Sequence, residues 1–280
     1  MRERRGISFS VVVSVVLTVV LGVAPAPGQP TSPAAVDVTF PDTAGTLPLS
    51  GQLYRPDGPG AFPAVVALHG CGGIQPVHHR WAHTLQQWGY VVLLVDSFSP
   101  RGKTNICGSG LSVDPLYVRM PDAYAAQAYL AGQPFVDRTR IAVMGWSHGG
   151  ATTLYAVDDI SLQRLSAVPF KAAIAMYPGC LLRLLRVNAP LLILIGEADD
   201  WAPAAQCQEM VRQSAQWGTK TAHGVTLKVY PGAHHGFDHL VPPHSYYGHT
   251  VGRHPEAAAQ AEEEVKRFLA QHLGMKPQTP

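Results

Sequence analysis

Five uninterrupted apolar runs set the limits on this chain: AVVAL at 64–68, VVLLV at 91–95, IAVM at 141–144, AAIAM at 172–176 and LLILI at 191–195. A strand with one wet face alternates apolar and polar residues, so runs of this kind fit strands covered on both faces, as in a parallel sheet. The segments 79–88, 122–131, 148–157 and 204–217, which follow four of these runs at short or longer intervals, carry helical patterning. Ahead of the first run, 36–40 and 49–54 alternate like antiparallel strands. After the last, VTLKVY at 225–230 reads as a strand and 255–273 as an amphipathic helix with Pro255 in its first turn. Repeated strand–helix units predict an α/β fold, with a mostly parallel central sheet and helices on both faces. There is no internal repeat and no linker, so one domain is expected over 35–274.

Residues 1–28 stand apart from that pattern. Arg2, Arg4 and Arg5 precede an apolar stretch at 7–23, followed by small residues and prolines, which is the layout of a secretory signal. The stretch also approaches the length of a membrane span, so an uncleaved anchor is the alternative, and the membrane is a partner only in that case. A periplasmic or secreted location is expected. In an oxidising compartment Cys71, Cys107, Cys180 and Cys207 can form two disulfides. Cys180 follows AAIAM and Cys207 opens the helix after LLILI, so adjacent strands would bring these two to one edge of the sheet. A Cys180–Cys207 bridge is therefore expected. No CxxC spacing occurs, and the four-residue pairs His79 with His83 and His235 with His239 imply no third ligand, so no metal is expected. A formal net charge of +2 supplies no general basic surface for nucleic acid.

The run IAVM leads directly into GWSHGG, which sets Ser147 in a Gly-X-Ser-X-Gly frame between a buried strand and a candidate helix. Glycines and serines also cluster in ordinary turns. At a strand-to-helix elbow, however, the serine projects from the carboxyl edge of the sheet, and Gly145, Gly149 and Gly150 remove side chains that would collide in so sharp a turn. The amides opening the helix favour negative charge developing there. GEADDWAP offers Asp199 and Asp200 beyond one strand, and YPGAHHGFD offers His234 and His235 beyond another. The order Ser, Asp, His is that of α/β-hydrolase triads, and strand carboxyl ends are where open α/β sheets build their sites. ALHGCGG adds an oxyanion loop, with the amides of Cys71 and His148 expected to hold the negative oxygen of a tetrahedral intermediate. Trp146 and Trp201 flank these residues as candidate substrate contacts, and 241–255 is expected to form a loop near the site.

LHGCGG, DSFSPRG, RIAVMGWSHGG, GEADDWAP and YPGAHHGFD together resemble the dienelactone hydrolases of the α/β-hydrolase fold, across roughly 36–273. The resemblance implies a monomeric hydrolase of small-molecule esters or lactones that needs no cofactor. It implies His235 as the base, directly before Gly236-Phe237, and Asp199 as the acid, three residues after Gly196. It also implies a loop arginine, Arg101, placed to meet a substrate carboxylate. Two features depart from the family pattern: Ser147 stands where the best-known members carry cysteine, and HGCGG replaces their carboxylate-bearing loop. Both favour a general carboxylesterase over dienelactone turnover. The elbow is also similar to that of extracellular polyester hydrolases. A peptidase using the same residues and a binding protein that keeps the fold without activity are the remaining alternatives.

Overall fold

The eight expected strands form, as β1 (Val36–Pro41), β2 (Pro48–Tyr54), β3 (Phe62–Leu68), β4 (Val91–Asp96), β5 (Val136–Trp146), β6 (Ala173–Met176), β7 (Leu191–Gly196) and β8 (Val225–Tyr230). The computed structural model describes residues 34–108, 113–163, 165, 167–181, 187–216 and 224–274, and the segment read as a signal or anchor lies outside them. One sheet runs β1-β2-β4-β3-β5-β6-β7-β8. Its first two pairings are antiparallel, and every pairing from β4 with β3 to β7 with β8 is parallel. This is the α/β-hydrolase arrangement. Every residue of β3, β6 and β7 is buried. Successive residues point to opposite faces of a sheet, so both faces must be covered, which is why these strands read as continuous apolar runs. Edge strand β8 alternates half-buried and exposed residues, and its sequence alternates with it.

The helices are α1 (Pro76–Gln87), α2 (Met120–Ala131), α3 (His148–Ala156), α4 (Asp159–Gln163), α5 (Ala204–Gln216) and α6 (Pro255–Leu273). Two start earlier than their apolar periodicity suggests, and proline is the reason in both. Pro76 and Pro121 occupy first-turn positions, where the missing N–H has no intrahelical partner to lose. Ahead of α1 the Gln75 amide donates to His78 Nδ1 at 2.8 Å. Ahead of α2 a π-helical turn, Pro115–Arg119, is capped by Asp114, whose Oδ1 accepts from the amides of Leu116 and Tyr117. The segment expected as a loop holds a small hairpin, β9 (His244–Tyr246) and β10 (His249–Val251). Tyr247 and Gly248 turn it with φ of 49° and 82°, the left-handed pair that suits a tight two-residue connection. Among the described residues, no helix is long and apolar enough to cross a membrane.

Cys180 and Cys207 are bonded, as are Cys71 and Cys107. The first pair joins the loop after β6 to α5, and the second joins the loop after β3 to the loop after β4. Closing 27 residues of chain restricts the unfolded ensemble by about 3 kcal/mol. A Cys180→Ser/Cys207→Ser double variant should therefore unfold at clearly lower denaturant, with the loss read as a shift in the midpoint of a urea titration without reductant.

Candidate active site

Ser147 sits between the end of β5 and the start of α3 with φ 53° and ψ −113°, outside the regions a serine ordinarily occupies. Neighbouring backbone holds it there. The Ser147 amide donates to Met176 O at 2.9 Å, and its carbonyl accepts from Ala151 N at 2.8 Å. The bend depends on the absence of side chains. A Cβ on Gly149 would lie 2.0 Å from Leu68 O, and one on Gly145 would lie 2.1 Å from Gly149 O. No side chain fits at either distance, so β3, β5 and α3 meet at this point only through glycine.

The structure brings Ser147, His235 and Asp199 into one hydrogen-bonded line. His235 Nε2 lies 2.9 Å from Ser147 Oγ, and His235 Nδ1 lies 2.8 Å from Asp199 Oδ2. A carboxylate only accepts, so Nδ1 carries the imidazole proton and Nε2 is left to accept the serine hydroxyl. Asp199 Oδ1 accepts from the amides of Trp201 and Ala202, which fixes the carboxylate from behind. Asp199 and His235 are 4% and 5% exposed. Asp200 points away: it is exposed and accepts from Thr250 N at 3.1 Å. His234 also leaves the line, with Nδ1 at 2.9 Å from Ala198 O.

Ser147 opens onto a cavity of about 200 Å³ whose walls include Gly70, Cys71, Gly72, Trp146, Trp201 and His235. The loop after β3 closes one side. His69 is fully buried and donates from Nδ1 to Gly70 O at 2.7 Å, while the disulfide and the Ile106 amide, 2.8 Å from Cys71 O, tie Cys71 to the loop after β4. As the first residue of α3, His148 has an amide with no intrahelical acceptor. Its side chain turns inward, accepting at Nδ1 from Arg119 Nη1 at 3.0 Å. Arg101 does not line the cavity. Its guanidinium makes two 2.8 Å bonds to buried Asp122 and a third to Ser97 O, because a buried carboxylate needs a cation more than the solvent-facing loop does.

Beneath the cavity lies a residue that sequence reasoning passed over. Asp238 is fully buried and accepts from Trp81 Nε1 at 2.7 Å, Trp146 Nε1 at 3.1 Å and Tyr177 Oη at 2.8 Å. These three donors come from α1, the residue before Ser147, and the residue after β6. The Tyr177 ring in turn packs edge-on against His235, with centroids 4.8 Å apart. The only signal in the sequence was an aspartate three residues past His235, amid apolar neighbours.

Burial also fixes the charge state of the surrounding imidazoles. Desolvation, reinforced by nearby cationic groups, pushes His78 and His148 from 6.5 down to about 3 and holds His69 well below its ordinary value. The unfolded chain takes up these protons near 6.5, but the fold takes them up only far lower, so stability is fully present above that pH and is lost as pH falls toward 3. Urea midpoints should therefore drop between pH 7 and pH 5. Equal midpoints would mean that these rings protonate freely in the fold.

A model of the dienelactone hydrolase family matches residues 49–273. The chain is 25% identical over 231 residues to the probable 2-oxo-3-(5-oxofuran-2-ylidene)propanoate lactonase of Bradyrhizobium sp, covering 79% of this chain and 88% of that one. It is 32% identical over 157 residues to dipeptidyl peptidase 8 of Mus musculus, a match that takes in 50% of this chain and spans only 16% of the relative. The solved dienelactone hydrolase of Anabaena variabilis shares the fold, with a TM-score of 0.64 at 20% identity, over 87% of this chain and 100% of that one. The family match extends from β2 to the last residue of α6, and the chain belongs to the dienelactone hydrolase family.

Proposed function

We propose that this hydrolase is an exported enzyme that cleaves carboxylic esters or lactones through an acyl-enzyme on Ser147. The observation that carries the proposal is the unbroken line of hydrogen bonds from Asp199 through His235 to Ser147 Oγ, at 2.8 and 2.9 Å. His235 Nε2 takes the hydroxyl proton as Oγ attacks the ester carbonyl carbon. The carbonyl π electrons move onto oxygen, where the amides of Cys71 and His148 receive the charge. The intermediate collapses, the C–O bond to the alcohol breaks, and His235 returns the proton to the leaving oxygen. Water then repeats the sequence on the acyl-enzyme and releases the acid. Asp199 keeps the proton on Nδ1 and stabilises the imidazolium that forms. The lactonase relative supports a cyclic ester among the substrates. The peptidase relative supports amides as a second reading, which dipeptide nitroanilides assayed beside esters would separate. Export is supported by the N-terminal pattern and by two disulfides, which persist in oxidising compartments.

Purified protein should hydrolyse short aryl esters equally well with and without chelator, and Ser147→Ala should lower turnover by at least about 10³-fold. Activity that survives in Ser147→Ala rules out the serine as nucleophile. Asp199→Asn should cost about 10⁴-fold, since an amide favours the wrong imidazole tautomer and leaves the imidazolium uncompensated. Asp200→Asn, with the same ester, should stay within a few-fold of the parent. The opposite ranking of the two variants would transfer the orienting role to Asp200.

A further inference from the structure

The cavity beside Ser147 is built for a particular kind of substrate. Among the described residues, no lysine, arginine, aspartate or glutamate lines it. The carboxylates bonded to its walls are committed, Asp199 to His235 and Asp238 to the two indoles and Tyr177, and Arg101 is paired with Asp122. Arg119 is fully buried behind His148. Of the wall histidines other than His235, burial pushes His78 down to about 3 and lowers His239, and His244 turns its Nδ1 to Pro242 O at 3.0 Å. A carboxylate entering this space would lose its hydration and meet no lysine or arginine, while Asp199 and Asp238 stand just behind the walls.

What the walls do supply is rings. Trp146, Tyr177, Trp201 and Tyr246 face the cavity. Trp201 is braced by His249, stacked on it at 4.8 Å with 16° between planes. Tyr246 reaches across from the β9–β10 hairpin, and its hydroxyl accepts from Asn105 Nδ2 at 2.8 Å beside the disulfide-bonded loop. The hairpin that carries Tyr246 is tied to the acid and base loops, through Thr250 N to Asp200 and Gly252 N to His235 O at 3.0 Å. The apolar lining continues outward through Val241, a wall residue that is 48% exposed.

We propose that the site selects esters whose scissile group adjoins an uncharged aromatic ring, packed against the wall that Trp201 and Tyr246 form together with centroids 5.9 Å apart, and that it rejects esters carrying a carboxylate on that ring. The inference rests on the serine hydrolase reading above and names its substrate class. It departs from the expectation that Arg101 receives a substrate carboxylate. Flat rings stack favourably on aromatic walls, whereas a saturated ring of the same carbon count gains area burial alone.

Steady-state kinetics with 4-nitrophenyl esters, and with a pair of acetates that carry no nitrophenyl ring, test this, each rate normalised to that with hydroxide. 4-Nitrophenyl acetate reports whether the protein is an esterase at all, and its failure to turn over would overturn that reading and this inference together. If acetate is turned over, the 4-acetylbenzoate ester, neutral and close in shape, should exceed the 4-carboxybenzoate ester in kcat/KM on the order of a hundredfold. Equal values would overturn the inference and leave the hydrolase reading intact. Benzoate should be preferred over cyclohexanecarboxylate, or benzyl acetate over cyclohexylmethyl acetate, according to whether the ring sits on the acyl or the alcohol part. A preference in neither pair would overturn the aromatic part of the proposal. Trp201→Leu should bring the preferred pair's ratio close to one, and Tyr246→Leu serves if the first variant does not fold. A ratio unchanged in the folded variant would overturn the role assigned to this wall.

Discussion

The contact on which the rest of this molecule depends is the approach of α3 to the end of β3, where Gly149 lies against the carbonyl of Leu68 with no room for a methyl group. Because the helix starts there, its first amides and the loop that leaves β3 converge on the same small volume. Ser147 is forced into that volume by the same geometry and held by the carbonyl of Met176. The strain at its backbone is offset by the core strands on either side, each buried Leu, Ile or Val contributing about 1.5–3 kcal/mol. A serine in this conformation is thus a product of the sheet, and the order of strands decides which loops surround it.

A second constraint is electrostatic. Asp238 is a carboxylate with neutral partners only among its hydrogen bonds, and three polar hydrogens from separate elements turn toward it. A buried charge left short of partners is costly, so the three donors are held in place as firmly as the carboxylate is. The rings of Trp146 and Tyr177 line the cavity beside Ser147, and that of Tyr177 packs against His235. Neutral histidines complete the surroundings, since burial leaves no stable place for more positive charge beyond Arg119. The result is an aromatic floor, held from below by Asp238, beneath a polar line of three residues.

Much of this was readable from the chain alone, and the gaps have physical causes. Strands buried on both faces announce themselves, which is why β3, β4, β6 and β7 could be placed almost to the residue. Asp199 stood out from Asp200 only through the family resemblance, which implies the acid three residues after Gly196, and the structure separates them by facing one inward to His235 and the other outward to Thr250. The Cys180–Cys207 pairing followed from adjacent strands, whereas Cys107 lies eleven residues past the end of β4, too far along its loop for the adjacency of β3 and β4 to place it. The hairpin escaped notice because strands of three residues carry no periodicity, leaving Gly248 as its one mark. Arg101 was given an external partner because the sequence could not reveal that Asp122 would be buried facing it.

All four bonded cysteines lie beyond the carboxyl ends of β3, β4, β6 and β7, so both covalent links are on the side of the sheet that carries Ser147. The loops at a site are ordinarily the least protected part of a fold, opening locally well before the sheet does. Here that order is reversed in part. Backbone amides around Cys71 and Cys180 are restrained across 36 and 27 residues of chain, while β1 at the far edge has β2 as its one strand neighbour. Loss of β1 therefore breaks neither link: the loop that carries Cys71 stays tied to the loop after β4, and the segment that carries Asp199 stays closed between Cys180 and Cys207.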